Sequence, residues 1–425
     1  MTTQTDPIVV TGMGAVGPLG VGVETNWKRL IAGQSGIRVN DRFDLGELNC
    51  HIAGLVPSKA EDEHGFDALD FVDAKDIKKM DTFIQYGLGA STEALAQAGW
   101  APQTDDEKNR TATIIGTGVG GFPAMTAAAH TLSERGPRRL SPFLVPSFLA
   151  NLAAGWISIR GGFRGPIGAP VTACAASAQA IGDGMRMILS GEADVAVVGG
   201  AEACIDPVTI GGFAAARALS IGYNNDPTAA SRPFDQARDG FVLAEGAAVL
   251  VIERLSHARA RGAEPLAILS GYGTSADAYH LTASPEDGEG AQRAMQGALR
   301  MAGLTPADID YLNAHSTSTP VGDRAEIAAI ASIFAGRGKS LSISATKSAT
   351  GHLLGAAGAL ASIFAIMALR TGILPPTLNL TNPDEAAAVF DLPVAAKAKA
   401  AAHALVNAFG FGGVNASLAF SKMPG

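Results

Sequence analysis

This sequence predicts an α/β fold of stacked layers, repeated in two halves, on three observations. Short apolar runs flanked by glycine recur along the whole chain and alternate with helical stretches. That alternation is the mark of α/β layers with largely parallel strands. The scheme then runs a second time after a seam at Arg261-Gly262-Ala263-Glu264-Pro265, dividing the chain into residues 1–262 and 263–425. Finally, 47% of residues are hydrophobic and 51 are glycine, but only 6% are aromatic. Close-packed layers suit that composition better than an aromatic-rich sandwich, and 425 residues can bury a large core.

Pro7 to Gly20 opens the chain as a buried strand entering a glycine turn. Its Gly12-x-Gly14-x-x-Gly17 spacing formally fits a dinucleotide fingerprint, but Pro18-Leu19-Gly20 cannot open the required helix. A tight turn is the better reading. A short helix follows at Asn26–Ala32, then a polar excursion, then a helix over Thr82–Gly99. Lys75, Lys78 and Lys79 make a basic spot before that helix, and Arg138 and Arg139 make a second. Each is either a solvated face or a docking site for an acidic partner. Thr111–Gly121 is a strand with a glycine turn, and Ser147–Arg160 a helix.

Gly165–Thr172 reads as a strand leading to Cys174, followed at once by small residues and the helical pattern Ala180, Ile181, Gly184, Met185, Ile188. A cysteine at a helix N-terminus meets free N–H groups and the positive end of the dipole, which favour the nucleophilic thiolate. A buried structural cysteine is the competing reading. Ala193–Gly200 is a further strand, Gly211-Gly212-Phe213 opens a small-residue loop, and Ser231–Gly240 makes a charged turn. A strand at Gly246–Glu253 and a helix at Leu255–Arg261 close the half.

The second half gives strands at Leu266–Gly271, Ile309–Ala314, Leu341–Ala345 and Ala404–Phe409, and helices at Glu289–Ala302, Asp323–Phe334 and Leu354–Thr371. Three strand-end motifs stand out. They are Asn313-Ala314-His315-Ser316-Thr317-Ser318-Thr319-Pro320, Ser344 to His352 with Lys347 five residues before His352, and Asn407 to Asn415 around Phe411. Ends of parallel strands are where α/β folds carry ligand and catalytic groups. No H-x-x-H or C-x-x-C spacing occurs, so a metal centre is not expected.

A net charge of −8 argues against nucleic acid or an anionic membrane as partner. Three widely spaced cysteines, Cys50, Cys174 and Cys204, suggest no disulfide framework and a reducing, cytoplasmic setting. Met1–Pro7 lacks the features of a signal peptide, and the apolar run to Leu369 reads as a buried helix rather than a membrane span.

Taken together and in order, these motifs resemble the β-ketoacyl-acyl-carrier-protein synthases, the elongating condensing enzymes, and within them the synthase II branch. The likeness runs from VVTGMGAVGPLG through the cysteine corner, ASRPFD, RDGFVL, SADAYH, NAH-x-TSTP-x-GD and TKS-x-TGHLLGAAGA to NAFGFGGVNASLAF. It implies a thiolase-like, duplicated αβαβα fold with two mixed sheets. It implies an acyl group carried on Cys174, His315 and His352 at a malonyl thioester, and Lys347 tuning them. The backbone N–H groups of Cys174 and Phe411 would form an oxyanion hole, with Phe411 also a gate. Thr317 and Thr319 would bind the phosphopantetheine arm, and Phe213 and Val119 would line the acyl tunnel. Lys75, Lys78, Lys79, Arg138 and Arg139 would meet an acidic acyl-carrier protein. The family is homodimeric and needs no organic cofactor, because its substrates carry phosphopantetheine on the carrier.

The chain departs from the family pattern at several positions. Ser316, Ala244 and Ala248 stand where the family usually has glycine, Ala176 where it has a hydroxyl residue, and Ala361 where it has a glutamate. The last change leaves Lys347 to find another partner, Glu326 or Asp323. Other readings are a non-catalytic chain-length partner subunit, against which Cys174, His315 and His352 argue, and a specialised ketosynthase of a secondary lipid or polyketide pathway. A Cys–His–Cys thiolase would need a cysteine beyond the seam, and none is there.

Overall fold

The computed structural model describes residues 6–424, so Met1–Thr5, part of the stretch read for a signal peptide, lie outside the described residues. Ten strands carry the architecture: β1 (Ile8–Gly17), β2 (Thr111–Gly116), β3 (Ile167–Gly168), β4 (Val195–Glu202), β5 (Gly246–Arg254), β6 (Ala267–Ala276), β7 (Tyr311–Asn313), β8 (Ser342–Ser344), β9 (His403–Gly410) and β10 (Val414–Ser421). The order across the sheet is β8-β7-β9-β10-β6-β1-β5-β4-β2-β3.

That order contains the same five-strand pattern twice. Within the first five strands and within the last five, the first strand is followed by the fifth, fourth, second and third. In each set two junctions are antiparallel and two parallel. The two mixed sheets touch through one short seam, Val9 opposite Ile268 and Val10 opposite Ala267. The expectation of largely parallel strands is therefore corrected. Strands covered on both faces are apolar throughout in either direction, so their composition does not reveal polarity.

The helices include α1 (Thr82–Ala98), α2 (Phe122–Arg135), α3 (Leu152–Gly161), α4 (Ala176–Ser190), α5 (Pro207–Ala215), α6 (Glu289–Ala302), α7 (Pro320–Ile333) and α8 (Ala357–Thr371). Helices α1 and α3 lie outside the first sheet, α4 and α8 pack together between the sheets, and α6 and α7 lie outside the second. This is the αβαβα stack. The stretch Leu354–Thr371 is long and apolar enough to cross a bilayer, but it is 89% buried as the central helix.

Glycines set the distance between layers. A Cβ on Gly12 or Gly14 of β1 would stand 2.0 or 1.9 Å from a carbonyl oxygen of α1, and one on Gly271 or Gly273 of β6 would stand 2.2 or 2.0 Å from a carbonyl oxygen of α6. Gly12 and Gly14 thus serve helix packing within a strand, as expected from the poor helix-opening sequence after them. The first strand of each half uses the same device.

Several local expectations change. The Ser147–Arg160 helix is two helices, Leu144–Phe148 and α3, separated where Leu149 turns extended at ψ 130°. Gly211-Gly212-Phe213 lies in α5, which Asp206 caps by accepting from the Val208 N–H at 2.8 Å. The cap, with Pro207 at the first helical position, overrides the low propensity of the glycines. Helix α2 and strand β10 escaped the sequence reading, and the strand before Cys174 shrinks to Ile167–Gly168.

Substituting Gly273 by Ala should force β6 away from α6. Overpacking typically costs about 1–3 kcal/mol, and backbone contact on this scale should put the loss at the upper end or beyond. Urea denaturation of Gly273→Ala beside the parent checks it; a loss below about 0.5 kcal/mol would refute the packing argument.

Candidate active site

The two central helices start from matching turns. Ala173–Ala175 forms a 3-10 turn running into α4, and Leu354–Ala356 forms one running into α8. Each opens on a non-glycine residue with positive φ, Ala173 at 48° and Leu354 at 42°. Such conformations cost roughly 1–3 kcal/mol and persist only where the surroundings enforce them. Here they turn the chain sharply from one sheet into the middle layer. The first turn carries Cys174; His352 lies just before the second.

A cavity of about 540 Å³ opens over these turns. Cys174, His315, His352, Phe411, Phe213, Val119, Thr317 and Thr319 all line it. Six rings follow one another around the wall: Phe411–Phe213 at 6.4 Å between centroids, Phe213–Phe241 at 5.2 Å, Phe241–His352 at 5.4 Å, His352–His315 at 5.4 Å and His315–Phe409 at 5.6 Å. The Thr317 and Thr319 hydroxyls are 3.2 Å apart.

Cys174 is half-buried and lines this cavity. Burial pushes its thiol up to about 12, against the lowering effects of the Lys347 charge and of the backbone N–H groups of Cys174 and Phe411. The expected thiolate is thus corrected to a resting thiol. Loss of hydration outweighs the helix terminus. The two N–H groups converge on sulfur because the glycine turn passes close: a Cβ on Gly410 would lie 3.2 Å from Cys174 N. Both histidines are held well below their ordinary range, first by burial and then by the Lys347 charge, so both are neutral at pH 7.

Two carboxylates on the first turns of α7 fix the histidine strand end. Glu326 accepts from the His315 N–H at 2.8 Å, the Ser316 N–H at 2.6 Å, the Ser316 hydroxyl at 2.8 Å and the Asn407 amide at 3.0 Å. Asp323 accepts from the N–H groups of Thr317, Ser318 and Phe234 and pairs with Arg238 at 3.5 Å. The charged turn at 231–240 belongs to the same frame. The Arg232 N–H donates to the Ser318 hydroxyl at 3.0 Å, and Ser318 holds φ 74°.

Lys347 is buried behind the cavity wall. Burial lowers it to about 8, and the leading charge that favours its ammonium form is Glu326. Ala361, where the family carries glutamate, is buried in the apolar core, and its carbonyl accepts from the Asn313 amide at 3.3 Å.

The first basic spot lies against the segment that follows the second. Lys79 sits over the Phe143 ring at 5.5 Å, and Asp81 N–H donates to Ser147 O at 3.2 Å. Lys75 and Lys79 are partly neutralised by Asp73 and Asp76. Lys78, Arg138 and Arg139 are exposed. Sequence reasoning missed Phe241 and Phe409 in the ring chain, Glu202 behind the cysteine and the exposed Arg217 at the cavity mouth. Only the RDGF motif pointed towards Phe241.

Residues 5–258 match the family description "Beta-ketoacyl synthase, N-terminal domain", and residues 266–381 match "Beta-ketoacyl synthase, C-terminal domain". The chain belongs to the β-ketoacyl synthase family. It is 48% identical to "3-oxoacyl-[acyl-carrier-protein] synthase 2" of Rhizobium meliloti (strain 1021) over 98% of this chain and 99% of that protein. A solved β-ketoacyl synthase from Burkholderia phymatum STM815 superposes with a TM-score of 0.90 at 35% identity, covering 99% of this chain and 100% of that one. The "AntDE:AntF (apo)" structure, a type II polyketide acyl-carrier protein in complex with its ketosynthase, superposes at 0.89 with 29% identity, covering 99% and 100%. A β-ketoacyl synthase condenses an acyl chain with a malonyl unit on acyl-carrier protein, and this chain is an acyltransferase of that kind.

Within this synthase Lys347 makes the electrostatic balance visible in stability. Its folded value near 8 lies below the unfolded value of about 10.4. The unfolded chain therefore binds more protons between these values, and stability rises with pH across that window. Lys347→Met should be more stable than the parent at pH 7, with the gap closing as pH rises from about 8 to about 10.4. Urea midpoints at several pH values test this; a gap that stays constant would contradict it.

Proposed function

We propose that Cys174 is the acyl-carrying nucleophile of a two-step condensation and that His315 and His352 serve its decarboxylative half. The observation that carries this reading is the shared cavity, which brings the thiol, both neutral imidazoles and the two converging N–H groups to one surface. In the first step the Cys174 sulfur bonds to the acyl carbonyl carbon, and the carrier thiol leaves with a proton. In the second, malonyl-carrier loses carbon dioxide. The enolate left behind accepts hydrogen bonds from imidazole N–H groups, which need neutral rings rather than cations. Its carbon attacks the acyl-Cys174 carbonyl. The oxyanion formed lies at the N–H groups of Cys174 and Phe411, and collapse expels the cysteine sulfur.

The remaining roles follow from position. Thr317 and Thr319 offer hydroxyls to the phosphopantetheine arm. Phe213 and Val119 line the acyl side, and Phe411 stands between the two as the gate. Lys347 supplies positive potential from behind. No organic cofactor enters, because the thioester supplies the activation and phosphopantetheine arrives on the substrate.

The partner is acyl-carrier protein, docking on Lys75, Lys78, Lys79, Arg138 and Arg139. One structural neighbour is a ketosynthase in complex with its acyl-carrier protein. The synthase acts as a homodimer. None of the 14 residues of α2 is buried, and the edge strand β3 leaves Ile167 52% and nearby Val171 53% exposed. Such an edge and apolar surface call for a cover, which a second copy supplies. The cytoplasm suits three unpaired cysteines.

Intact-protein mass after mixing with acyl-carrier thioester tests the first step. The acyl mass should appear on the parent and not on Cys174→Ala. That variant should lose condensation while still decarboxylating malonyl-carrier. His315→Ala and His352→Ala should lose decarboxylation by about 10²-fold or more while still taking the acyl group. Elongation by Cys174→Ala would overturn the mechanism. Reversing charge at Lys78 and Arg138 together should raise KM for carrier-bound substrate roughly tenfold at low salt, leave kcat nearly unchanged, and lose its effect at high salt. An unchanged KM would remove this surface as the docking site.

A further inference from the structure

Glu202 ends β4 with a side chain 0% exposed, directly behind the cysteine turn. Its carboxylate reaches both halves of the molecule. It accepts from the Thr117 hydroxyl at 3.0 Å and the Gly118 N–H at 2.6 Å, and also from the Val119 N–H. Those residues follow β2, and Gly118 and Val119 line the cavity. It accepts as well from the Gly355 N–H at 3.0 Å, in the turn after His352. The two turns nearly touch across it. A Cβ on Gly355 would lie 2.2 Å from Gly118 N, and a Cβ on Gly118 would lie 2.7 Å from the carboxylate itself. No step of the condensation uses this group.

We propose that Glu202 is a positioning residue that ties the acyl-pocket wall to the histidine loop and whose negative charge restrains the nucleophilicity of Cys174. The proposal rests on Cys174 as nucleophile. Two loops carrying different parts of the site, Val119 on one and His352 on the other, share one buried acceptor, so a shift of either is felt by the other. The charge acts on sulfur in opposition to Lys347. His315 and His352 face the same cavity and stay neutral, while Cys204 packs behind. Burial raises Glu202 itself to about 7, despite its donors, so its charge turns on within the working pH range.

Alkylation of Cys174 by iodoacetamide, followed by mass from pH 6 to 9, reads this without any acyl substrate. Towards pH 6, about a unit below the Glu202 value, the parent and Glu202→Gln carry nearly the same charge at position 202, so the ratio of their rates should level off there. As the parent ionises the ratio should climb, to roughly threefold or more above pH 8, half a unit of proton affinity being about threefold. A merely structural effect on access would scale the rate equally at every pH. Thr117→Val, which strips one donor and keeps the charge, should move the parent's transition to higher pH and serves if Glu202→Gln does not fold. A parent–variant ratio flat across the range, or a Thr117→Val transition at the parent's pH, overturns the proposal. Acylation by carrier thioesters of different lengths is the second readout: Glu202→Gln should accept a broader range, and an unchanged profile removes the positioning role. Shifted alkylation with no acyl transfer to the parent would instead sink the condensing role of Cys174 and leave the charge effect standing.

Discussion

The close approach of the two central helices is the constraint from which the rest of the molecule follows. A Cβ on Gly358 of α8 would meet Ala178 of α4 at 2.9 Å, and the Ser177 hydroxyl accepts from the Ala359 N–H at 2.9 Å. Helices this close can begin only from turns that enter the middle layer steeply. That is the work of the positive φ values at Ala173 and Leu354. Because the two turns face each other, the cysteine loop of one half is brought to the histidine loop of the other. The site belongs to neither half. It exists because two copies of one topology share a middle layer, and strain at two residues is offset by the burial of an entire helical core.

A second frame holds the remaining histidine. Glu326 and Asp323, three residues apart on α7, spend their acceptor capacity on the backbone of residues 315–318 rather than on substrate. Buried carboxylates with several N–H donors are rigid supports, since every lost donor would leave an unsatisfied group. The 231–240 segment closes that frame through Arg238 and Ser318. The motifs read as a charged turn are therefore internal struts of the site.

The sequence made strands and their end motifs legible because fully buried strands are continuous apolar runs and functional loops punctuate them with glycine, histidine and hydroxyl residues. It did not show strand polarity, for the same reason: a strand buried on both faces reads alike in either direction. Helix α5 was hidden by its glycines, although Asp206 and Pro207 were an available start signal. Helix α2 was hidden because none of its residues is fully buried within one chain, so no strong apolar stripe marks it. The protonation of Cys174 was misjudged from a local cue. Helix termini act over one turn, whereas desolvation is a property of the whole pocket and requires the fold. Glu202 stood in plain view as a lone acid after a strand, but its partners come from positions 117–119 and 355, which no local pattern connects.

The departures from the family pattern redistribute charge and leave the reacting groups in place. Ala361, where the resemblance led to a glutamate being expected, is buried in the apolar packing of α8. Lys347 then depends chiefly on Glu326 for compensation, and burial brings its ammonium near the point of losing its proton. Ser316 adds a hydroxyl donor to the same Glu326, beyond the two N–H groups and the amide already there. The added hydroxyl is a further hydrogen bond holding Glu326, the leading counter-charge of the buried lysine, in place. The two departures thus bear on the same lysine although they lie on different segments: one leaves no carboxylate at position 361, the other adds a bond to Glu326. The leading counter-charge of Lys347 thus sits on α7, the helix that also fixes the histidine strand end.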